Sequence, residues 1–271
     1  MKLPASEEIA PLVRDVARRI LLPSFGRCAH KRKADGSLVT SADLSMERTI
    51  GEALNAEWPD IAFVSEEMDE EPRAAALCET GTPYWCLDPL DGTTNYVSGF
   101  PLFAVSLALV LECRVQVGIV YDPVRDELFR ADRGRGAWVN RRRMAAPGDR
   151  SDARTTRIAI VDLKRLPLPL RRRLVEEAPF ASQRNLGVCA LEWAWIAADR
   201  ADVYLHGAQK IWDHAAGTLL LEEAGGSAAT LDGEPVFDGS GAPRSVCAAL
   251  RAGIFEAWQA WLHQDREIGY P

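Results

Sequence analysis

A short acidic turn between residues 85 and 96 constrains this chain more than any other feature. The sequence there reads WCLDPLDGTTNY, so an apolar strand leads directly into Asp88 and Asp91. Pro89 restricts the turn, and Gly92 allows backbone angles that other residues avoid. Carboxylate oxygens are ligands that Mg²⁺ prefers in proteins. The turn therefore predicts a metal-binding site rather than a solvated pair of aspartates.

The residues that follow Gly92 suit an anion. Thr93 and Thr94 offer hydroxyl groups, and the next amides are placed like those at the start of a helix. Such amides carry partial positive charge and commonly bind phosphate. The same turn can therefore serve both a cation and a phosphate group.

Further carboxylates occur where they could join this turn. Glu66 follows the short apolar strand 61–64, and Asp213 opens a predicted helix. Each has an ordinary alternative, because the acidic run 65–71 can form a solvated surface and an aspartate commonly caps a helix. However, two strands that end in carboxylates can bring Glu66 and Asp88 to one metal ion.

The overall charge argues against one class of function. The chain has 271 residues and a formal net charge of -7, which does not suit a broad basic surface for nucleic acid. An acidic protein that binds an anionic substrate needs local positive charge, for example from metal ions.

No stretch approaches the ~18 apolar residues that cross a membrane, and residues 1–19 lack the apolar core of a signal peptide. With six scattered cysteines and no CxxC pair, these features predict a soluble cytoplasmic protein.

The order of predicted elements indicates two halves. Helices are expected at 6–22 and 40–55, with a polar loop at 30–37 between them. A run of strands with turn signals then predicts an antiparallel meander, and beyond a polar segment strands alternate with helices. We therefore predict a mixed α/β fold with an N-terminal α+β domain, residues 1–147, and a C-terminal α/β domain, residues 148–271. The first domain carries the acidic turn, and the second supplies Asp213.

Four motifs together resemble the inositol monophosphatase family, within the wider superfamily of lithium-sensitive, metal-dependent phosphatases. They are VTSAD at 39–43, SEE at 65–67, DPLDGTTN at 88–95 and WDHAAG at 212–217. Their order and spacing are similar to those of the family, and the resemblance covers almost the whole chain. It implies a layered α-β-α-β-α sandwich, a homodimer and inhibition by Li⁺.

The resemblance also implies two to three Mg²⁺ ions and their ligands. One ion would be held by Glu66, Asp88 and the carbonyl oxygen of Leu90. A second would be shared by the carboxylates of Asp88, Asp91 and Asp213. A third, weaker ion would contact Glu66.

Catalytic and substrate-binding groups are implied in the same way. Thr93, with Asp43 behind it, would orient the attacking water, and Glu66 is a further catalytic candidate. The amides of Gly92 and Thr93 would bind the phosphate. Cations activate water and stabilise the entering and leaving oxygens, so the implied reaction is direct attack by water without a phosphoenzyme. The predicted substrate-binding residues are Asp91, Gly92, Thr93, Thr94, Gly187, Cys189 and His206.

Three positions depart from the inositol-specific pattern. Those family members usually carry an acidic residue seven positions before the second-domain metal aspartate, and here that residue is His206. Imidazole cannot accept two hydroxyl protons as a carboxylate does. The segment Gly187–Ala190 lacks the hydroxyl group that often lies near the substrate. Finally, the loop that is rich in glycine and serine in many relatives reads DLKR at 162–165 here. Its Lys164 and Arg165 could bind a second phosphate or another anion, and could equally be solvated surface charges.

These observations predict a Mg²⁺-dependent phosphomonoesterase for a small sugar or polyol phosphate similar to inositol 1-phosphate. Fructose 1,6-bisphosphate and 3′-phosphoadenosine 5′-phosphate are alternative substrates, although Thr94 stands where the nucleotide-specific branch typically has lysine. A non-catalytic module that binds metal or a partner in the acidic pocket is a second class of function. Its mark would be the loss of a motif acid or of Thr93, and all of these residues are present.

Overall fold

The computed structural model describes residues 3–33, 36–71, 76–77, 81–145 and 156–264. Its helices are α1 Ser6–Ser24, α2 Ser41–Glu57, α3 Thr93–Val97, α4 Leu168–Glu176, α5 Cys189–Ala197, α6 Ile211–Glu223 and α7 Ala252–His263. Its first nine strands are β1 His30–Arg32, β2 Leu38–Thr40, β3 Ala62–Ser65, β4 Tyr84–Asp91, β5 Ala104–Leu111, β6 Arg114–Asp122, β7 Glu127–Asp132, β8 Gly136–Val139 and β9 Arg142–Met144. The later strands are β10 Thr156–Asp162, β11 Phe180–Arg184, β12 Val203–Gln209, β13 Ser227–Ala229 and β14 Arg244–Ala249.

The larger sheet has seven strands in the order β3-β4-β5-β6-β7-β8-β9. Strands β3 and β4 are parallel, and the remaining neighbours are antiparallel, which confirms the predicted meander. Every residue of β4 is buried, because helices cover both faces of the sheet. This double burial explains why the strand sequences are almost continuously apolar.

Strands β1 and β2 form a separate antiparallel ribbon, in which His30 pairs with Thr40. The predicted loop over 30–37 is therefore wrong at His30–Arg32. All three residues of β1 are exposed, so the strand has no apolar alternation that a sequence pattern could reveal.

Helices α1 and α2 cover one face of the larger sheet. Ile9, Val13 and Leu21 of α1 are fully buried, and helical spacing predicts the first two of them. They belong to one apolar cluster with Leu54 of α2 and Trp85 of β4. A fully buried aliphatic side chain contributes roughly 1.5–3 kcal/mol relative to an exposed one, so this face anchors both helices.

Helices α5 and α6 cover the opposite face. Helix α6 contacts β4, β5 and β6, and the approach is close. A Cβ atom on Gly118 of β6 would lie 2.7 Å from the carbonyl oxygen of Ala216. A helix enclosed on several sides needs apolar residues around most of its circumference, and Leu219, Leu220 and Leu221 are all buried. This packing fixes the first turn of α6 relative to β4.

The smaller sheet has five strands in the order β11-β10-β12-β14-β13. Strand β10 is parallel to β11 and β12, whereas β14 is antiparallel to β12 and β13. Ile160 and Tyr204 on the inner face pack with α5 and α6. Val161 and Leu205 on the outer face pack with residues of α4 and α7, including Trp258. The predicted α/β alternation of this half is therefore confirmed.

The layers run helix, sheet, helix, sheet, helix, which confirms the predicted mixed α/β sandwich. The predicted boundary between residues 147 and 148 lies outside the described residues, so the two-domain division remains a prediction. Among the described residues, no helix is both long enough and apolar enough to cross a bilayer.

Candidate active site

Strand β4 carries both aspartates of the acidic turn into the interior. Asp88 and Asp91 are only 1% and 8% exposed. The pairing of β4 with β5 is irregular between these two residues, so the strand is distorted there. The Leu90 amide donates a hydrogen bond to Asp88 Oδ1 at 3.0 Å, which closes the turn.

Gly92 ends the turn and precedes helix α3. Its φ of 87° lies in the left-handed region that favours glycine. A Cβ atom here would also lie 2.8 Å from Val188 Cγ2 and 3.2 Å from the Leu102 carbonyl oxygen. The position therefore needs glycine for both its backbone angle and its lack of volume, as the sequence predicts.

Glu66 follows β3 directly and lies beside the turn. Strands β3 and β4 are parallel, with Ser65 paired to Leu87. The Glu66 amide donates to the Leu87 carbonyl oxygen at 3.1 Å. The carboxyl ends of parallel neighbours meet at one edge of a sheet, and this is why Glu66 approaches Asp88.

Lys33 is a neighbour of Glu66 that no sequence pattern indicated. Its Nζ lies 3.2 Å from Glu66 Oε1 and 2.6 Å from Glu67 Oε1. Burial raises the pKa of Glu67 to about 7, while its hydrogen bond to Lys33 opposes this shift. An ammonium group therefore offsets part of the negative charge at this edge of the site.

Asp213 reaches the site from the other half of the chain. It is the third residue of α6, which begins at Ile211 rather than at Asp213 as predicted. The Lys210 amide donates to Asp213 Oδ2 at 2.8 Å. The alternative role of Asp213 as the helix cap is therefore wrong in position, because Lys210 is the cap residue and the Asp213 carboxylate accepts its amide from the first turn.

A cavity of about 260 Å³ joins these elements. It is lined by all five predicted metal-ligand residues, namely Glu66, Asp88, Leu90, Asp91 and Asp213. It is also lined by the predicted substrate-binding residues Asp91, Gly92, Thr93, Thr94 and Gly187. The other lining residues are Ser37, Leu38 and Arg165. The predicted substrate-binding residues Cys189 and His206, although described, do not line it.

The buried carboxylates lie in an environment that opposes their charge. Burial raises the pKa of Asp88 and of Asp91 well above the usual range, and neighbouring carboxylates raise both further. Burial likewise raises the pKa of Asp213 to about 7. Within the described ranges, no lysine or arginine forms an ion pair with any of these three aspartates. A bound cation would relieve this repulsion.

The carboxylates surround the cavity without forming a closed ligand shell. No three His, Cys, Asp or Glu side chains in the described part of the chain are grouped tightly enough to hold a metal ion as they stand. One oxygen of each buried aspartate accepts a backbone amide hydrogen bond. The donor set still consists of hard oxygens beside a polar cavity, which suits a divalent cation.

Thr93 connects the turn to helix α2. Its Oγ1 lies 3.0 Å from the Leu90 carbonyl oxygen and 3.3 Å from Asp43 Oδ1. Asp43 Oδ2 also accepts a hydrogen bond from the Thr40 amide at 2.9 Å, which forms a capping box at the start of α2. Burial raises the pKa of Asp43. One hydroxyl proton cannot serve two acceptors at once, so Thr93 can donate either to the carbonyl or to Asp43.

The cavity wall at Gly187 depends on Glu192, a residue that sequence reasoning missed. Glu192 Oε1 accepts hydrogen bonds from the amides of Leu186 at 2.9 Å and Gly187 at 3.1 Å. The Ala190 amide donates to Asp91 Oδ2 at 2.6 Å, so the start of α5 also holds a predicted metal ligand. An acidic residue in the first turn of a helix was the only available signal, and such residues are too common to be diagnostic.

Cys189 and His206 lie near each other. The Cys189 Sγ–His206 Nε2 distance is 3.9 Å, and Asp162 Oδ2 lies 3.7 Å from the same ring nitrogen. Burial lowers the pKa of His206 to about 4 and raises that of the Cys189 thiol. Both side chains are therefore uncharged near neutral pH, and their substrate-binding roles remain predictions.

Known proteins have sequences similar to this one. A model of the inositol monophosphatase family matches residues 6–267. The inositol-1-monophosphatase of Mesorhizobium japonicum is 37% identical over 231 residues, which cover 80% of this chain and 82% of the relative. The Nus factor SuhB of Pasteurella multocida is 36% identical over 224 residues, which cover 79% of this chain and 81% of the relative.

A solved structure shares the fold. The extragenic suppressor protein SuhB from Bartonella henselae matches with a TM-score of 0.79 at 29% identity, covering 95% of this chain and 98% of that one. A phosphatase that hydrolyses phosphomonoesters is the class of protein that these matches define. The chain belongs to the inositol monophosphatase family, whose members depend on divalent cations.

Proposed function

We propose that this protein is a Mg²⁺-dependent phosphomonoesterase that hydrolyses a small sugar or polyol phosphate, of the kind that inositol 1-phosphate represents. The observation that carries the proposal is the convergence on one cavity of the carboxylates of Glu66, Asp88, Asp91 and Asp213. They come from the end of β3, from β4 and from the first turn of α6. The fold thus brings together acids that lie far apart in the sequence, beside a turn suited to phosphate.

We propose that two to three Mg²⁺ ions bind this donor set. We assign one to Glu66, Asp88 and the carbonyl oxygen of Leu90. The second is assigned to Asp88, Asp91 and Asp213, and a third, weaker one to Glu66. When bound, such ions would make a water molecule more acidic and stabilise negative charge on the phosphate oxygens.

The chain supplies a route for the proton of the attacking water. Thr93 Oγ1 can accept a hydrogen bond from that water while donating its own proton toward Asp43 Oδ1, 3.3 Å away. Burial raises the pKa of Asp43, so its carboxylate accepts a proton more readily than a solvated aspartate does. We propose that water attacks the phosphorus directly, without a phosphoenzyme. One P–O bond forms as the ester P–O bond breaks, and the ester oxygen leaves as the alcohol after it takes a proton from solvent. Glu66 is retained as a second catalytic candidate.

We assign the phosphate to the amides of Gly92 and Thr93. Thr94 and Gly187 line the same cavity and are assigned to the remainder of the substrate. Cys189 and His206 do not line the cavity, so any effect of theirs on specificity acts through the residues that do. Fructose 1,6-bisphosphate and 3′-phosphoadenosine 5′-phosphate remain alternative substrates.

A panel of phosphomonoesters, assayed for phosphate release with and without Mg²⁺, tests this proposal. It contains inositol 1-phosphate and both alternative substrates. We expect Mg²⁺-dependent release from at least one member, and a loss of at least ~100-fold in kcat for Asp91→Asn. Asparagine keeps an oxygen that can accept the Ala190 amide, so the variant should fold, but the charge that a divalent ion needs is gone.

Asp60→Asn is the matched control, because it removes the same charge from an exposed turn. It should retain wild-type turnover. Near-normal turnover by Asp91→Asn would contradict the ligand assignment. A complete lack of release in the presence of Mg²⁺ would contradict the phosphomonoesterase itself and favour the non-catalytic binding module.

A homodimer, inhibition by Li⁺ and a cytoplasmic location remain predictions. The first two come from the family resemblance, and the third comes from the sequence. The proposed partner of the site is a small phosphorylated metabolite, and nothing in the chain's net charge of -7 favours a nucleic acid.

A further inference from the structure

Arg165 differs from the rest of the cavity wall. Among the described residues that line the cavity, it is the only lysine or arginine, and the other charged residues are all acidic. None of the roles assigned above uses its guanidinium group. Its position therefore needs a separate explanation.

The loop that carries Arg165 packs directly against strand β12. A Cβ atom on Gly207 would lie 2.2 Å from the carbonyl carbon of Arg165, so the two backbones meet at a position where only glycine fits. The Lys164 amide donates to Asp162 Oδ1 at 2.7 Å, and Arg165 Nη1 donates to the Ala208 carbonyl oxygen at 3.0 Å. Backbone packing and a side-chain hydrogen bond thus place the guanidinium at the cavity edge.

The guanidinium group has donors to spare. It presents five N–H groups in a planar fork that matches carboxylate and phosphate oxygens. One of them serves the Ala208 carbonyl oxygen, and no carboxylate in the described ranges lies within ion-pair distance of Arg165. A guanidinium in this state can bind an anion through two parallel hydrogen bonds.

The side chains near this loop do not compete for that role. His206 is uncharged near neutral pH, because burial lowers its pKa to about 4. Its Nδ1 accepts the Ala208 amide at 3.1 Å, which leaves the ring proton on Nε2. The Asp162 carboxylate accepts the Lys164 amide and lies 3.7 Å from His206 Nε2. Arg165 is therefore the charged donor on this side of the cavity.

The reacting phosphate has other sources of positive charge in the proposed function, namely the cations and the turn amides. We propose that Arg165 instead binds a second anionic group of the substrate, so that the preferred substrate is a small phosphomonoester that also carries a phosphate or a carboxylate. This inference rests on the proposed function and narrows it. It makes Arg165 a determinant of specificity rather than of chemistry.

Paired substrates that differ only in the second anion test the inference. Fructose 1,6-bisphosphate against fructose 1-phosphate tests a second phosphate, and 2-phosphoglycerate against glycerol 2-phosphate tests a carboxylate. We expect the wild type to favour the doubly anionic member of at least one pair. Arg165→Ala should lower kcat/KM for that member at least ~10-fold, mainly through KM, and leave its partner within ~3-fold. Arg165→Gln keeps two N–H donors without the charge, so its kcat/KM for the doubly anionic member should lie between those of the wild type and Arg165→Ala.

Lys164→Ala is the matched control. This substitution removes a positive charge from the neighbouring residue, whose side chain does not line the cavity. It should leave the preference within each pair unchanged. Equal losses on both members of each pair, or no preference in the wild type, would overturn this inference and leave the phosphomonoesterase intact. A lack of phosphate release from all four compounds and from inositol 1-phosphate would overturn the proposed function and this inference together.

Discussion

Glu192, which accepts the amides of the cavity wall at Gly187, also makes the stability of the protein depend on pH. Burial raises the pKa of Glu192 from 4.5 to about 7. Between pH 4.5 and pH 7 its carboxyl group is therefore protonated in the folded protein and ionised in the unfolded chain. The stability due to this proton is fully present below about pH 4.5 and is lost as the pH rises through 7. At about 1.4 kcal/mol per pKa unit, Glu192 lowers the free energy of unfolding by up to roughly 3 kcal/mol over this window.

Glu192→Gln should remove this pH dependence. Glutamine keeps an oxygen for the amides of Leu186 and Gly187 but cannot ionise. We expect the variant to be more stable than the wild type at pH 8, with a smaller difference at pH 5. Denaturant unfolding at pH 5, 6, 7 and 8 in the presence of EDTA measures the difference. The exposed substitution Glu177→Gln is the control, and identical pH profiles for Glu192→Gln and the wild type would contradict the raised pKa.

The acids of the site could be found from sequence, whereas the residues that support them could not. Asp88 and Asp91 belong to a local turn in which proline, glycine and threonine have separate reasons to be present. Lys33 and Glu192 act through contacts that only the folded chain creates, such as Lys33 with Glu66 across 33 positions. Arg165 was visible as a charge, but its place on the cavity wall depends on packing against β12.

At the scale of elements, buried helices and strands were predictable because burial leaves an apolar pattern in the sequence. Helix α1 shows this pattern as a helical period, whereas strands β5 and β6, covered on both faces, show it as nearly continuous apolar runs. Strand β1 does not, because all its residues are exposed. Helix α6 was predicted to begin two residues late, because Asp213 looked like the cap although Lys210 occupies that position. Element ends are set by single hydrogen bonds, which a periodic pattern does not record.

The contact between β6 and α6 should be sensitive to a single methyl group. In Gly118→Ala the new Cβ would lie 2.7 Å from the Ala216 carbonyl oxygen, so the backbone of α6 must move. We expect a loss of ~1–3 kcal/mol in the free energy of unfolding. We also expect a lower kcat, because Asp213 lies one turn earlier on the same helix. Denaturant unfolding and the phosphate-release assay measure the two effects.

Gly253→Ala in helix α7 is the control for this substitution. Apart from its chain neighbours and its own helical backbone, no atom of the described residues lies within 4 Å of the added Cβ, so it should be neutral or raise stability by up to ~1 kcal/mol. Unchanged stability and activity in Gly118→Ala would show that α6 is not held at the close distance described above.

At the scale of the whole molecule, cation binding should be coupled to folding. The unfolded chain has no preformed cluster of carboxylates, so an ion that binds the native cavity raises the free energy of unfolding. At 100 times the dissociation constant the gain is ~2.7 kcal/mol. For a domain of this size we expect Tm at pH 8 to be about 5–10 °C higher in saturating Mg²⁺ than in EDTA.

Thermal unfolding measured by circular dichroism tests this coupling without any substrate. Asp91→Asn should lose most of the Mg²⁺-dependent shift, while Asp60→Asn should keep it. Coincident unfolding curves for the wild type in Mg²⁺ and in EDTA would show that the acidic cavity does not bind the ion.

The elements around the cavity have separate supports. The larger sheet carries Asp88 and Asp91, the central helical layer carries Asp213, and a loop beside the smaller sheet carries Arg165. Replacement of residues in that loop can therefore alter which compound is accepted while the carboxylates stay where they are. Such an arrangement lets selectivity diverge between relatives at little risk to reactivity.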